Sequence, residues 1–179
     1  MLQKLSTSVA LKGLIHSIPN YPEEGVTFLD ISPLLADPKG FAAVIDTMAE
    51  AFEGKIDAIV ALESRGFLFG PTLAYRLKVP FTMARKKGKL PRKVVQTSYQ
   101  REYGSLEVLE LHVDALKSGS RVLVVDDVLA TGGSALAAAK LVEDIGSSVV
   151  GYAFVIELLF LHGRSKLGEV QVQSLVQYD

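Results

Sequence analysis

Cysteine is absent from the 179 residues. That excludes disulfides, thiolate metal sites and cysteine nucleophiles, and it fits a reducing compartment. Long apolar runs are missing too. The longest, such as Val122–Val125 and Ala153–Ile156, fall far short of the roughly 20 residues a spanning helix needs. Lys12, Gly13 and His16 break what would otherwise be a signal-peptide core, so a soluble cytoplasmic protein is the expectation. Neither charge dominates: 19 Lys and Arg stand against 20 Asp and Glu, a formal −1, which argues against a generally basic nucleic-acid binder. Two familiar phosphate motifs are also missing. There is no G-x-x-x-x-G-K-[ST], because Ser134 and Ala135 follow Gly133, and there is no G-x-G-x-x-G. His16, His112 and His162 are too scattered for H-x-x-x-H metal spacing, and no Ser–His–Asp arrangement is readable.

What is present is an ordinary globular composition, 49% hydrophobic and 22% charged. At about 150 residues per domain the length implies one domain over residues 1–179. A chain of this size buries roughly two-thirds of its unfolded surface and needs no covalent staples. Turn formers and apolar spacing predict a helix over 1–18, a loop over 19–25 and an extended piece over 26–31. A helix follows over 38–53, with Phe41, Val44, Ile45, Met48 and Phe52 at helical spacing. Strands are predicted at 57–62, 79–84, 121–126, 148–158 and 170–177, with helices at 67–77 and 134–145. This alternation gives an α/β fold with a mostly parallel twisted sheet flanked by helices.

Two stretches stand out. Residues 85–105 hold Arg85, Lys86, Lys87, Lys89, Arg92, Lys93 and Arg101 against the single acid Glu102, a net +6 that leaves −7 on the rest of the chain. With no helical periodicity, this stretch reads as a long polar loop, of the kind that is usually functional or mobile. The sharper signal runs from Val122 to Ser134. Four apolar residues form a buried strand, Asp126 and Asp127 follow, and Thr131-Gly132-Gly133-Ser134 opens a helix. Glycines let backbone N–H groups curl toward one point, and a helix N-terminus adds partial positive charge, so this loop is an anion cradle. Two carboxylates would repel a phosphate held there. A sugar resolves the conflict, because its vicinal hydroxyls donate to Asp126 and Asp127 while its phosphate sits in the loop. A divalent cation would offset the charge further.

The run from Val122 to Ser134 resembles the phosphoribosyl-pyrophosphate signature of the type I phosphoribosyltransferases. Other stretches resemble the adenine-using branch of that family over nearly the whole chain. They include Ile18–Val26, Asp30–Leu35, Glu63–Gly70, Arg85-Lys86, Gly88–Pro91, Ser98-Tyr99, Glu102–Gly104, Val155–Leu158 and Gly163-Arg164 with Lys166-Leu167.

The resemblance implies a small N-terminal hood (1–35), a flexible catalytic loop (85–105), and transfer of a phosphoribosyl group to adenine with release of pyrophosphate. It implies Mg2+ carried by the substrate, with no protein ligand assigned, and a homodimer. Ala130, Thr131, Gly132, Gly133 and Ser134 would hold the 5′-phosphate, and Asp126 and Asp127 the ribose hydroxyls. The turn Glu63-Ser64-Arg65-Gly66 would hold pyrophosphate, assisted by Arg85, Lys86 and Lys89, with Arg85 able to reach across a dimer interface. Glu102 would approach the base as general acid/base, shielded by Tyr103. Phe28 would stack on adenine, while the backbone of Thr27 and Leu29 reads its edge. Position 29 departs from a common family pattern, in which arginine is frequent. Ala130 stands where 6-oxopurine enzymes usually carry aspartate, although xanthine-type enzymes can also have alanine. A xanthine or other purine phosphoribosyltransferase, and a non-catalytic purine sensor on the same fold, are the alternatives. Such sensors usually append a DNA-binding domain and lose the catalytic loop.

Overall fold

A computed structural model describes residue 8, residues 10–100 and residues 106–179. Short apolar runs become the middle of one sheet. Strand β3 (Ala58–Leu62) is buried along its whole length. It pairs in parallel with β4 (Phe81–Lys86) on one side and β7 (Arg121–Leu129) on the other. Strands β8 (Ser148–Leu158) and β9 (Gln171–Tyr178) continue the parallel order beyond β7. At the opposite edge β4 pairs antiparallel with β6 (Leu106–His112), which pairs antiparallel with β5 (Val94–Gln100), so the seven strands run β5-β6-β4-β3-β7-β8-β9. A separate antiparallel pair, β1 (His16–Pro19) and β2 (Thr27–Asp30), forms the N-terminal hairpin.

Helices cover both faces. After the short α1 (Ser32–Ala36) comes α2 (Pro38–Phe52), which opens with Pro38 and is capped by Asp37, whose carboxylate accepts from Gly40 N at 2.6 Å. Val44, Ile45, Met48 and Phe52 of α2, with Phe69 and Leu73 of α3 (Gly66–Leu77), pack on Ile59, Ala61, Leu123 and Val125. The other face of the same strands carries Val60, Leu62, Val122 and Val124 against α4 (Gly133–Asp144). Four buried alanines of α4 let it lie close to the sheet. Period-two alternation of side chains thus gives β3 and β7 two apolar faces, which is why they read as unbroken apolar runs.

The mostly parallel α/β architecture stands as expected from the sequence. Two expectations fail. The helix predicted over 1–18 cannot reach Ile18, because His16–Pro19 is paired to Thr27–Asp30 as a strand. Residues 85–105 are not simply a loop. β4 runs on to Lys86 and Val94–Gln100 forms β5, and the intervening turn is short enough to place both strands beside β6. No helix among the described residues is long and apolar enough to cross a membrane.

Candidate functional site

β3 leads through α3 to β4 on one side, whereas β7 leads through α4 to β8 on the other. Strand order therefore reverses between β3 and β7, and a crevice opens beyond their carboxyl ends. Here the turn Glu63–Gly66 and the segment Asp126–Ser134 come together. Gly66 packs so closely that a Cβ there would stand 2.8 Å from Val125 O and 3.1 Å from Asp126 Oδ1. The cleft has a volume of about 1100 Å3, and the N-terminal hairpin contributes Ser17, Thr27 and Phe28 to one wall.

Ala130–Ser134 lines this cleft. Gly132 has φ +80°, a left-handed conformation glycine adopts without steric penalty, and α4 begins at the next residue. Asp126 and Asp127 both line the cleft. Burial pushes Asp126 well above the usual carboxylate range, the neighbouring Asp127 charge adds to this, and its Oδ1 accepts from Asp127 N at 2.9 Å. Burial also raises Asp127, against the opposing pull of Arg65. Arg65 Nε lies 2.6 Å from Asp127 Oδ2, but the approach is not aligned as a hydrogen bond, so that oxygen has charge compensation alone. The Arg65 guanidinium also stands 5.2 Å from the Phe28 ring centre, within cation–π range. Phe28 meets Tyr21 edge-on at 5.4 Å. Its neighbour Leu29 turns its side chain into the core, 8% exposed, so position 29 contributes no polar side chain to the cleft.

The peptide bond Glu63–Ser64 is cis. The Glu63 carboxylate is fully engaged: it accepts from Arg85 Nε (3.1 Å), Arg85 Nη2 (3.3 Å) and Lys86 N (3.0 Å). Its pKa is lowered. Burial opposes that shift, and the contacts with Arg85 and Lys86 outweigh it. Arg85 also donates to Lys89 O at 3.3 Å. Arg85 and Lys89 do not themselves line the cleft, because Glu63 draws the arginine aside and Lys89 sits on the exposed turn after β4. Lys86 does line it, with Nζ 3.2 Å from Glu107 Oε1, and Tyr99 donates to Glu107 Oε2 at 3.0 Å. Sequence reasoning missed Glu107, Gln100, Phe160 and Tyr178 as lining residues, and gave Tyr99 no place in the cleft. Only the alternation Val95-Gln96-Thr97-Ser98-Tyr99-Gln100 carried a readable strand signal. Glu102 and Tyr103 lie outside the described residues.

Among the described residues no group of three or more His, Asp or Glu is placed to hold a metal ion. One or two carboxylates beside an anion cradle suit a magnesium ion that arrives on a phosphorylated substrate, and Asp126, facing the cleft, is that kind of donor.

The family model described as a phosphoribosyl transferase domain matches residues 30–172. The chain is 50% identical to an adenine phosphoribosyltransferase of Solibacter usitatus over 170 residues, 94% of this chain and 98% of that one. Its fold superposes on the crystal structure of adenine phosphoribosyltransferase from Thermoanaerobacter pseudethanolicus with a TM-score of 0.90 at 48% identity, covering 95% of this chain and 99% of the other. The Saccharomyces cerevisiae enzyme, solved with an imino-altritol bisphosphate and adenine, gives 0.88 at 48% identity over 96% and 99%. With its signature loop and paired carboxylates at the switch point of a parallel sheet, and with relatives alike over nearly their whole length, the chain belongs to the adenine phosphoribosyltransferase family.

Proposed function

We infer that the protein transfers the 5-phosphoribosyl group of phosphoribosyl pyrophosphate to adenine, giving AMP and pyrophosphate in purine salvage. The observation that carries this reading is the backbone cradle Ala130–Ser134 directly beside Asp126 and Asp127. A phosphate alone would be repelled by that pair, and a sugar alone would not need the cradle. Adenine N9 forms a bond to the anomeric carbon as the bond to the pyrophosphate oxygen breaks. The electron pair leaves with pyrophosphate, and the N9 proton goes to a base. Such a step is catalysed by positioning and by stabilising charge.

In this reading the cradle fixes the 5′-phosphate and Asp126 takes a ribose hydroxyl. Asp127 does the same with Arg65 beside it. Arg65 and Lys86 meet the departing pyrophosphate, and Glu63 keeps Arg85 and the Lys86 backbone in place behind them. Phe28 stacks on adenine, flanked by the backbone of Thr27 and Leu29. Glu102 holds or releases the purine proton, with Tyr103 shielding the site. Asp126 would help hold a magnesium ion brought by the substrate, and that ion would neutralise the diphosphate charge. We place the enzyme in the cytoplasm, which the cysteine-free composition suits. It would act as a homodimer. Leu68 and Tyr75 of α3 and Met83 of β4 are exposed apolar side chains that a second copy would cover.

The test is product formation from labelled adenine, hypoxanthine, xanthine or guanine with phosphoribosyl pyrophosphate and magnesium. AMP from adenine is the expected product. IMP or XMP alone would overturn the base assignment, and no nucleotide at all would leave a purine-binding sensor. Replacing Glu102 by Ala should lower kcat by about 100-fold with little change in either KM. Wild-type constants would remove it from catalysis.

A further inference from the structure

The cradle is shaped from behind by the turn Gly163–Lys166, which does not line the cleft. After β8 the chain makes two 3-10 turns, Leu159–Leu161 and Gly163–Lys166. Gly163 is buried against the phosphate loop: a Cβ there would lie 2.1 Å from Ala130 O and 2.9 Å from Gly132 N. Conversely, a Cβ on Gly132 would lie 2.9 Å from Gly163 O. Backbone rests on backbone, so a small displacement of Gly163 displaces the loop whose N–H groups form the cradle.

The residue next to Gly163 is fixed by an unusually complete set of bonds. Arg164 Nε donates to Glu157 Oε1 at 2.7 Å and its Nη2 to Oε2 at 2.5 Å, the two-pronged geometry of a guanidinium on a carboxylate. Nη1 donates to Val172 O at 3.0 Å and Nη2 to Ser174 Oγ at 2.9 Å. Ser174 Oγ and Gln177 Nε2 both donate to Glu157 Oε2, at 2.5 and 3.1 Å. Glu157 is only 2% exposed, at the end of β8. The planar fork therefore ties the loop to both β8 and β9.

We propose that Arg164 is a positioning residue for the phosphate cradle: clamped by Glu157 and Ser174, it holds Gly163 as a backstop that keeps the Ala130–Gly132 backbone in its anion-binding shape. This rests on the reading of the cradle as the 5′-phosphate site. Arg164 touches no substrate, so its effect belongs to the phosphorylated sugar and not to the base.

The experiment compares wild type, Arg164→Lys and Ser174→Ala, well below their melting temperatures. It reads both KM values, kcat, Tm and the calorimetric Kd for ribose 5-phosphate. Lysine keeps the charge and loses the fork. Arg164→Lys is expected to raise the KM for phosphoribosyl pyrophosphate and the Kd for ribose 5-phosphate about tenfold, with the KM for adenine unchanged. Ser174→Ala, which leaves the Arg164–Glu157 pair standing, should shift the same two constants in the same direction by about twofold to threefold. A lowered Tm with wild-type sugar constants would make the cluster merely structural and overturn the proposal, as would adenine and sugar constants rising together. If Arg164→Lys fails to fold, unchanged ribose 5-phosphate affinity in Ser174→Ala overturns it. A wild-type protein that binds ribose 5-phosphate but forms no AMP overturns the transferase reading alone, and the binding comparison still decides the role of Arg164. A wild-type protein that binds no ribose 5-phosphate overturns the cradle and the positioning role with it.

Discussion

The two polar walls of the cleft are built in opposite ways. Ala130–Ser134 offers main-chain donors at the start of α4, with a left-handed glycine and no ionised side chain. The facing wall carries long cationic side chains, each held by a carboxylate from another strand or turn: Arg65 by Asp127 and Lys86 by Glu107, with Arg85 behind them held by Glu63. Main-chain donors need no counter-charge, so their weakness is steric: a single added methyl group can spoil them. Cationic side chains need partners to stay ordered, so their weakness is electrostatic. Removing one carboxylate frees an arm to wander. The two kinds of damage should look different in kinetics.

The largest effect is expected from Gly132→Ala. Left-handed backbone costs an ordinary residue roughly 1–2 kcal/mol, and the new Cβ would also meet Gly163 O at 2.9 Å. We expect kcat/KM for phosphoribosyl pyrophosphate to fall about 100-fold with the far-UV circular dichroism retained. A loss below threefold would mean that the main-chain wall tolerates a side chain after all. A middle-sized effect is expected from Glu63→Gln, which keeps the shape and removes the charge that holds Arg85. In the reverse reaction the KM for pyrophosphate should rise about tenfold while that for AMP stays put. Equal rises in both would place Glu63 in general folding, not in the cationic wall.

The smallest effect, read as a shift in Tm on acidification, concerns Glu157, outside both walls. Its carboxyl is brought from the ordinary 4.5 down to about 2. Burial opposes the shift, but the hydrogen bonds from Arg164, Ser174 and Gln177 outweigh it. A depressed folded-state value means that its stabilising contribution is complete above the unfolded value and disappears as pH falls through 4.5 toward 2. Wild type should therefore lose Tm in that interval more steeply than Glu157→Gln, and parallel curves would show the cluster to be thermodynamically silent. Exposed pairs such as Arg76 with Asp46 contribute only about 0–1 kcal/mol and should not register in the same titration.

How much of this was readable beforehand follows the range of the interactions. β3 and β7 are apolar because both faces are covered, and that leaves an uninterrupted mark in the chain. The Thr131–Ser134 turn is local, so its purpose is local as well. The ribbon β5–β6 hid behind its charge: Val95, Thr97 and Tyr99 do alternate with Gln96, Ser98 and Gln100, but seven cations nearby made the stretch read as loop. The N-terminal helix was overrun because His16–Pro19 becomes a strand only through a partner ten or so residues on. The pairs Arg65–Asp127 and Lys86–Glu107 join residues far apart in the chain, and no spacing rule anticipates them. Glu157 was visible as a strand-ending acid, yet its purpose needed β9 to be in place.

That last dependence bears on how the protein is made. Val172, Ser174 and Gln177, which complete the grip on Arg164 and Glu157, lie on β9, which leaves the ribosome after β3, β7 and β8. A nascent chain can already hold β3, β7 and the whole signature motif while the backstop at Gly163 remains unanchored. On the reading given to Arg164, the site that the motif announces matures only once β9 has been made, and a chain halted before β9 would carry the full signature and bind the phosphorylated sugar poorly.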